Sequence, residues 1–395
     1  MTMAAAIESR TAEAPARSRT SRIARVDIVT DLGDAEPIWR RLEYPTQLFT
    51  PYQRFDFIAN WQRQAGARAN ATAFVVIAYD CDGRPLLLLP LTLVHKHGVR
   101  VARFMGGKHT TFNMALWDKD FACEAGAADL AALLSGIRER SAADVLALTR
   151  QPLRWRDVSN PFASLPKQSS ANVCPLLPMV PGAPPTDRMS NSFRRRLRSK
   201  ERKLDSPGYR YHVADTDAEI ARLLDWFFCV KPLRMAEQKL PNVFAEAGVE
   251  NFIRDTCLTR LAGGGRAIDI HALECDEEVI ALFAGVADGY RFSTMFNTYT
   301  MSERSRYSPG LILMRNIIDH YAERGYRLLD LGIGSDDYKR QFCRGDEPIF
   351  DSFVALSSRG KLAAFVMSGV SRTKRLVKRN EMLLDLAEKL RCALR

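Results

Sequence analysis

The sequence predicts an α/β protein with mixed sheets, built as two tandem copies of one unit. Three observations carry this. The second half of the 395-residue chain alternates strand-length apolar runs with helix-length amphipathic stretches, in the order β-α-α-β-β-β-α-β-α-β. The first half repeats that order loosely. Composition is ordinary for a globular chain, with 46% apolar and 26% charged residues, and the length is enough for two or three domains with proper cores.

In the first half, residues 23–29 read as a strand and 36–42 and 52–64 as helices. Residues 71–79 and 85–94 read as a hairpin around Asp82-Gly83, followed by a strand at 100–104, a helix at 127–138 and a strand at 144–148. The next stretch holds eight prolines between Pro152 and Pro185, which predicts an extended linker with one strand at 173–180. In the second half a strand at 209–214 precedes helices at 217–230 and 249–261. Strands follow at 267–274, 279–287 and 290–297, the last two joined by an Asp288-Gly289 turn. Residues 311–324 place Leu311, Met314, Ile317, Ile318 and Tyr321 on one helical face, and Gly325 ends that helix. The strand at 326–331 is expected to pair in parallel through this crossover. A short helix at 336–342 capped by Ser335 and a closing strand at 349–356 complete the unit. The expected division is a disordered leader at 1–21, an N-terminal unit at 22–150, a linker at 151–187, a C-terminal unit at 188–357 and a basic amphipathic helical tail at 358–395.

The totals exclude several classes. No apolar run reaches the roughly 18–20 residues that span a bilayer. The leader lacks the apolar stretch of a secretory signal, which predicts a cytoplasmic protein. Eight cysteines are scattered without a C-x-x-C pair, which argues against zinc and against a disulfide framework. The net charge of +11 is local: residues 192–203 carry +6 and 359–395 carry +7, so the remainder is close to neutral. Phe193 is the one aromatic inside the first run, so nucleic-acid binding is poorly supported. The tail reads either as helices docked on the body or as a peripheral contact with an anionic membrane at its inner face.

The most informative stretch runs from Asn297 to Gly310. A strand leads into a basic loop, and a helix start is marked three ways: Ser308 as cap, Pro309 in the first turn, and Gly310 allowing close approach to the backbone. Such a start is an anion site, and it suits the pyrophosphate of an acyl-CoA co-substrate. Arg304 and Arg306 are placed to add charge. Asn297 and Tyr299 leave the central strand where an acyl arm would enter. Asp330, in an apolar strand, reads either as a desolvated general base or as a buried acid bonded to backbone or to an arginine. Tyr338 is a candidate acid for a departing thiolate and Lys339 a candidate stabiliser of developing negative charge. His109, after Gly106-Gly107-Lys108, is placed to line a groove between the halves, whereas His271 and His320 read as structural.

Phe296-Asn297-Thr298-Tyr299, Arg306-Tyr307-Ser308-Pro309-Gly310 and Leu329-Asp330-Leu331-Gly332 with Tyr338-Lys339 resemble the GNAT-type acetyltransferases linked to bacterial cellulose and exopolysaccharide production, the CelD-like group. That group is similar in turn to Fem-type aminoacyltransferases with tandem GNAT-like domains. The resemblance covers roughly residues 22–357. It implies tandem GNAT-like domains and acyl transfer, from acetyl-CoA or another acyl-CoA and without a metal, to a small-molecule or glycan acceptor held between the halves. Asn297, Tyr299, Arg306, Tyr307, Ser308 and Gly310 are then cofactor-binding, and Asp330, Tyr338 and Lys339 catalytic. The group often carries Arg-Gly-Asp-Glu-Pro before Tyr-Lys, whereas this chain has Ile333-Gly334-Ser335-Asp336-Asp337. Fem-type transfer from aminoacyl-tRNA and a non-catalytic scaffold are the alternatives.

Overall fold

The computed structural model describes residues 20–204, 208–334 and 336–380. Among these residues, fifteen strands make two large sheets. They are β1 (Arg25–Val29), β2 (Thr72–Tyr79), β3 (Pro85–Lys96), β4 (Val99–Phe104), β5 (Leu116–Trp117), β6 (Val145–Pro152), β7 (Gln168–Ser169), β8 (Cys174–Pro178), β9 (Arg210–Val213), β10 (Asp269–Cys275), β11 (Glu278–Ala287), β12 (Arg291–Tyr299), β13 (Leu328–Asp330), β14 (Gly345–Glu347) and β15 (Ile349–Ala355). The principal helices are α1 (Leu32–Leu42), α2 (Phe55–Trp61), α3 (Ala127–Arg140), α4 (Asn191–Glu201), α5 (Asp217–Glu237), α6 (Val249–Leu258), α7 (Pro309–Glu323), α8 (Asp337–Arg340) and α9 (Ser358–Arg379).

The first sheet runs β1-β2-β3-β4-β6-β15-β7, with β5 added on β3, and the second runs β9-β10-β11-β12-β13-β8-β14. Each has an antiparallel meander that ends in one parallel pair made through a helical crossover. In the first half β4 pairs β6 through α3, and in the second β12 pairs β13 through α7. The turns follow local chemistry: Gly83 and Gly289 supply positive φ in the two Asp-Gly hairpins. Asp31 and Thr216 cap α1 and α5 through their side chains.

The halves exchange strands. Strand β8 from the proline-rich stretch sits in the second sheet between β13 and β14. Strand β15, expected to close the second unit, pairs instead with β6 of the first sheet. The stretch expected as an extended linker is therefore folded into short strands, with Asn160 capping a turn at Pro161–Ser164. Helix packing ties the halves further: Phe57 of α2 meets Phe252 of α6 edge-on at 5.2 Å between ring centroids. One apolar core spans both halves, and a second lies between the second sheet, α7 and α4. Basic helix α4 buries Phe193 and Leu197 there. Its Arg194, together with Arg188, pairs with Asp319 of α7 at 2.5 and 3.4 Å. The expected leader up to residue 19, the cap at Ser335 and the tail beyond Asn380 lie outside the described residues.

Candidate functional site

The site begins where the second sheet opens. Pairing between β12 and β13 covers only Arg291–Ser293 of β12, while β12 itself continues to Tyr299. β13 stops at Asp330 because the chain turns at Gly332 (φ 68°), where an added Cβ would meet the Thr294 carbonyl oxygen at 2.9 Å. On the other side of β12 the register with β11 skips at Met295, a bulge that twists the strand beside the opening. Past Ser293, β12 thus has no partner strand on one side among the described residues.

Two cavities meet at this opening. One, of about 540 Å³, is lined by Lys231 and Arg234 of α5, by Tyr299, and by Ser308 and Gly310 at the start of α7. The other, of about 390 Å³, lies in the groove between the halves and is lined by His109, Arg150, Phe244, Phe252 and Lys339. Asn297, Asp336 and Tyr338 line both. Volumes in this range suit small ligands.

The first cavity is cationic. α7 has no acidic residue in its first turn. Lys200 of α4 donates to the Ser308 hydroxyl at 2.6 Å. The Arg234 guanidinium lies 3.5 Å from the Tyr299 ring centroid. Burial first and Arg234 second push the Lys231 ammonium down to about 8, with Asp336 opposing. Burial, then the Asp336 carboxylate, raise the Tyr338 phenol above its ordinary range, against a hydrogen bond from Asn297.

In the second cavity, His109 is held down to about 4 by burial first and Lys108 second, so it is neutral near pH 7. Its Nδ1 accepts the Trp61 indole N–H at 3.0 Å, which leaves Nε2 as the proton-bearing nitrogen. Nε2 is buried and has no hydrogen-bond partner. Arg150 stands at a bulge with φ 59° and donates to the Thr110 carbonyl at 2.8 Å.

The structure brings Asn297, Tyr299, Ser308, Gly310 and Tyr338 together around the first cavity. Ser308 does not cap α7: it is left-handed (φ 57°), and its hydroxyl takes the Lys200 bond instead. Arg304, expected at the cradle, is committed to Glu278 and Asp276 at 2.5 and 2.8 Å. Arg306 is exposed beside the Tyr307 ring, and neither residue lines the cavity. Asp330 lines neither cavity. It is fully buried, accepts from Arg291 Nε at 2.7 Å and from the Ser293 hydroxyl, and caps the Gly332 N–H at 3.0 Å. Of its two sequence readings, this is the acid bonded to an arginine, and the placement does not fit a base for substrate. Lys339 lines the groove, but its Nζ is spent on the Ile333 carbonyl and Asp336, both at 3.1 Å. It organises the loop that presents Asp336.

Sequence reasoning missed Lys231, Arg234 and Asp336 and did not single out Lys200. Lys200 is one of seven bases in a run with no feature to single it out. Lys231 and Arg234 lie on the part of α5 beyond residue 230, where the sequence reading ended that helix.

Residues 191–340 match the family model described as acetyltransferase (GNAT) domain. No curated protein matches the chain by sequence. Among solved structures, FemX is 11% identical over 82% of this chain and 96% of its own, with a TM-score of 0.51. The C-terminal domain of a protein described as a lysylphosphatidylglycerol synthetase, from Agrobacterium fabrum, is 12% identical over 87% and 96%, with a TM-score of 0.49. A tandem GNAT protein from the clavulanic acid biosynthesis pathway is 12% identical over 84% and 99%, with a TM-score of 0.42. The C-terminal half carries a GNAT-type acyltransferase domain at residues 191–340, and the first half repeats its arrangement of a sheet with one parallel crossover pair.

Proposed function

We propose that this chain transfers an acyl group, acetyl being the first candidate, from acyl-CoA to an amine or hydroxyl of a sugar or polysaccharide-related acceptor. The observation that carries the proposal is that two cavities share Asn297, Asp336 and Tyr338. One is a donor pocket with a helix start and cations for phosphates; the other is an acceptor groove. A thioester carbonyl at the junction is reachable from both sides.

The residues present fit the donor. The open start of α7 with Lys200, Lys231 and Arg234 suits the diphosphate, and the unpaired edge of β12 suits the pantetheine amides. The acceptor nitrogen or oxygen attacks the thioester carbon, and its proton passes to Asp336. The Asn297 amide and the N–H groups of β12 past Ser293 stabilise the oxyanion. The C–S bond then breaks, and the thiolate takes its proton from Tyr338, which burial keeps protonated. The sugar acceptor rests on the CelD-like resemblance; His109 Nε2–H and Arg150 are the groove's donors for it.

The test is thermal denaturation with acetyl-CoA, CoA, ATP or buffer, followed by thiol release with amino-sugar acceptors. Ligand at 100 times its dissociation constant adds about 2.7 kcal/mol. Tyr338→Phe is expected to lower kcat about 100-fold while acetyl-CoA still binds. Absence of any shift contradicts the proposal. Co-purifying tRNA without acetyl-CoA binding points to Fem-type transfer, and a Tyr338→Phe protein as active as wild type removes the assigned acid.

A further inference from the structure

Helix α9 docks by one face and leaves the opposite face open. Its first turn is pressed on Asp144: Ser357 donates to Asp144 Oδ1 at 2.7 Å, and a Cβ on Gly360 would stand 1.7 Å from the Asp144 carbonyl oxygen. Further along, Ser371 donates to Asp351 at 2.9 Å, and Ser368 and Arg372 bond Gln168 at 2.6 and 3.0 Å. The helix is therefore firmly seated. Yet Leu362 is 70% exposed, Phe365 78%, Val366 53%, Val370 49% and Leu376 61%. At 3.6 residues per turn these five fall within an arc of about 140°, on the side away from the docked Ala364, Met367 and Ser371. Exposed Lys361 and Arg372 border the arc on one side and Lys374 on the other. Residues 358–379 hold seven Lys and Arg and no Asp or Glu.

We propose that this face of α9 lies on an anionic phospholipid surface, with the apolar arc set among the acyl chains and the bordering bases at the headgroups. An apolar stripe flanked by cations is what an interfacial helix requires. Among the described residues no helix is long and apolar enough to cross a membrane, so the contact is peripheral. Charge also decides between occupants. A second copy would bring two uniformly basic helices together, whereas phospholipid phosphates neutralise them. The inference is independent of the donor site.

The experiment is co-sedimentation of the full chain with vesicles of phosphatidylcholine alone or mixed with phosphatidylglycerol. Binding is expected only to the mixed vesicles, weakened near 1 M salt, where the Debye length is about 3 Å. Leu362→Asp with Phe365→Asp is expected to reduce the bound fraction about tenfold or more, with circular dichroism unchanged. Three results overturn the proposal: no binding to anionic vesicles at low salt, binding that the double variant does not alter, or a solution dimer that the double variant dissociates.

Discussion

The two crossover helices share a topology and differ at their first turns. α3 links the parallel pair β4–β6, and α7 links β12–β13. At the start of α3 the protein supplies its own anion. The Asp129 carboxylate accepts from the Gly126 N–H at 3.0 Å and from the Arg22 N–H at 2.7 Å, and the residue is buried. At the start of α7 no acid is present; Gly310 faces a cavity with Lys231 and Arg234 across it. The same helix dipole is met by a side-chain carboxylate in one half and by none in the first turn of the other. On the proposed function, one carboxylate separates a structural crossover from a binding one.

The largest expected effect concerns how the second crossover is anchored. Arg291 is buried between Asp330 and Glu347, 2.7 Å from each, with Phe112 and Trp155 of the first half against its guanidinium. Arg291→Met strands the buried Asp330 carboxylate and the partly buried Glu347 carboxylate and is expected to cost about 3–5 kcal/mol in urea denaturation. A loss below about 1 kcal/mol would show that the opening of the second sheet does not depend on this pair.

The next effect is the pH response of the open end. Lys231 is charged below about 8 and neutral above it. Acetyl-CoA affinity should therefore fall by up to about tenfold as pH rises through that value, and Lys231→Met should flatten this fall. Stability should move the other way. The unfolded lysine keeps its proton to its ordinary 10.5, so between the two values the unfolded chain binds more protons. Ligand-free wild type should gain stability with pH in that window relative to Lys231→Met. An affinity that does not change across it would remove Lys231 from the phosphate site.

The smallest effect belongs to the closed end. Asp129→Ala is expected to cost about 1 kcal/mol, as for a lost helix cap, and to leave acetyl-CoA affinity unchanged. A change in affinity would mean that the first crossover also takes part in donor binding.

Much of the second half was legible because its signals are local. The Asp288-Gly289 turn, the apolar face of α7 and the parallel return of β13 need only neighbouring residues. The strand exchange was not legible. The strand at 173–180 was itself legible and is β8, but its partners β13 and β14 lie some 150 residues away and no local signal names them. Likewise Asp330 gave two readings until Arg291 was placed beside it. Asn297, Gly310 and Tyr338 stood out through a strand end, a helix start and a distinctive word. Lys231 and Arg234 were missed because the helix was ended at 230, whereas α5 continues through Pro232 to Glu237. Ser308 was misread as a cap because Ser-Pro-Gly fits that chemistry; its left-handed backbone depends on the turn Glu303–Tyr307 before it.

The central claim is that the first turn of α7 is open for the donor's phosphates. Isothermal titration of acetyl-CoA into wild type, Gly310→Ala and Gly310→Asp tests it most directly. An added Cβ at Gly310 would have the Tyr299 side chain as its nearest neighbour at 3.7 Å, so both variants have room. The account predicts one site in wild type, an affinity within about threefold for Gly310→Ala, and a loss of about 100-fold or more for Gly310→Asp, whose carboxylate reproduces the closed end of α3. Equal affinity in all three proteins, or no binding by wild type, would contradict it.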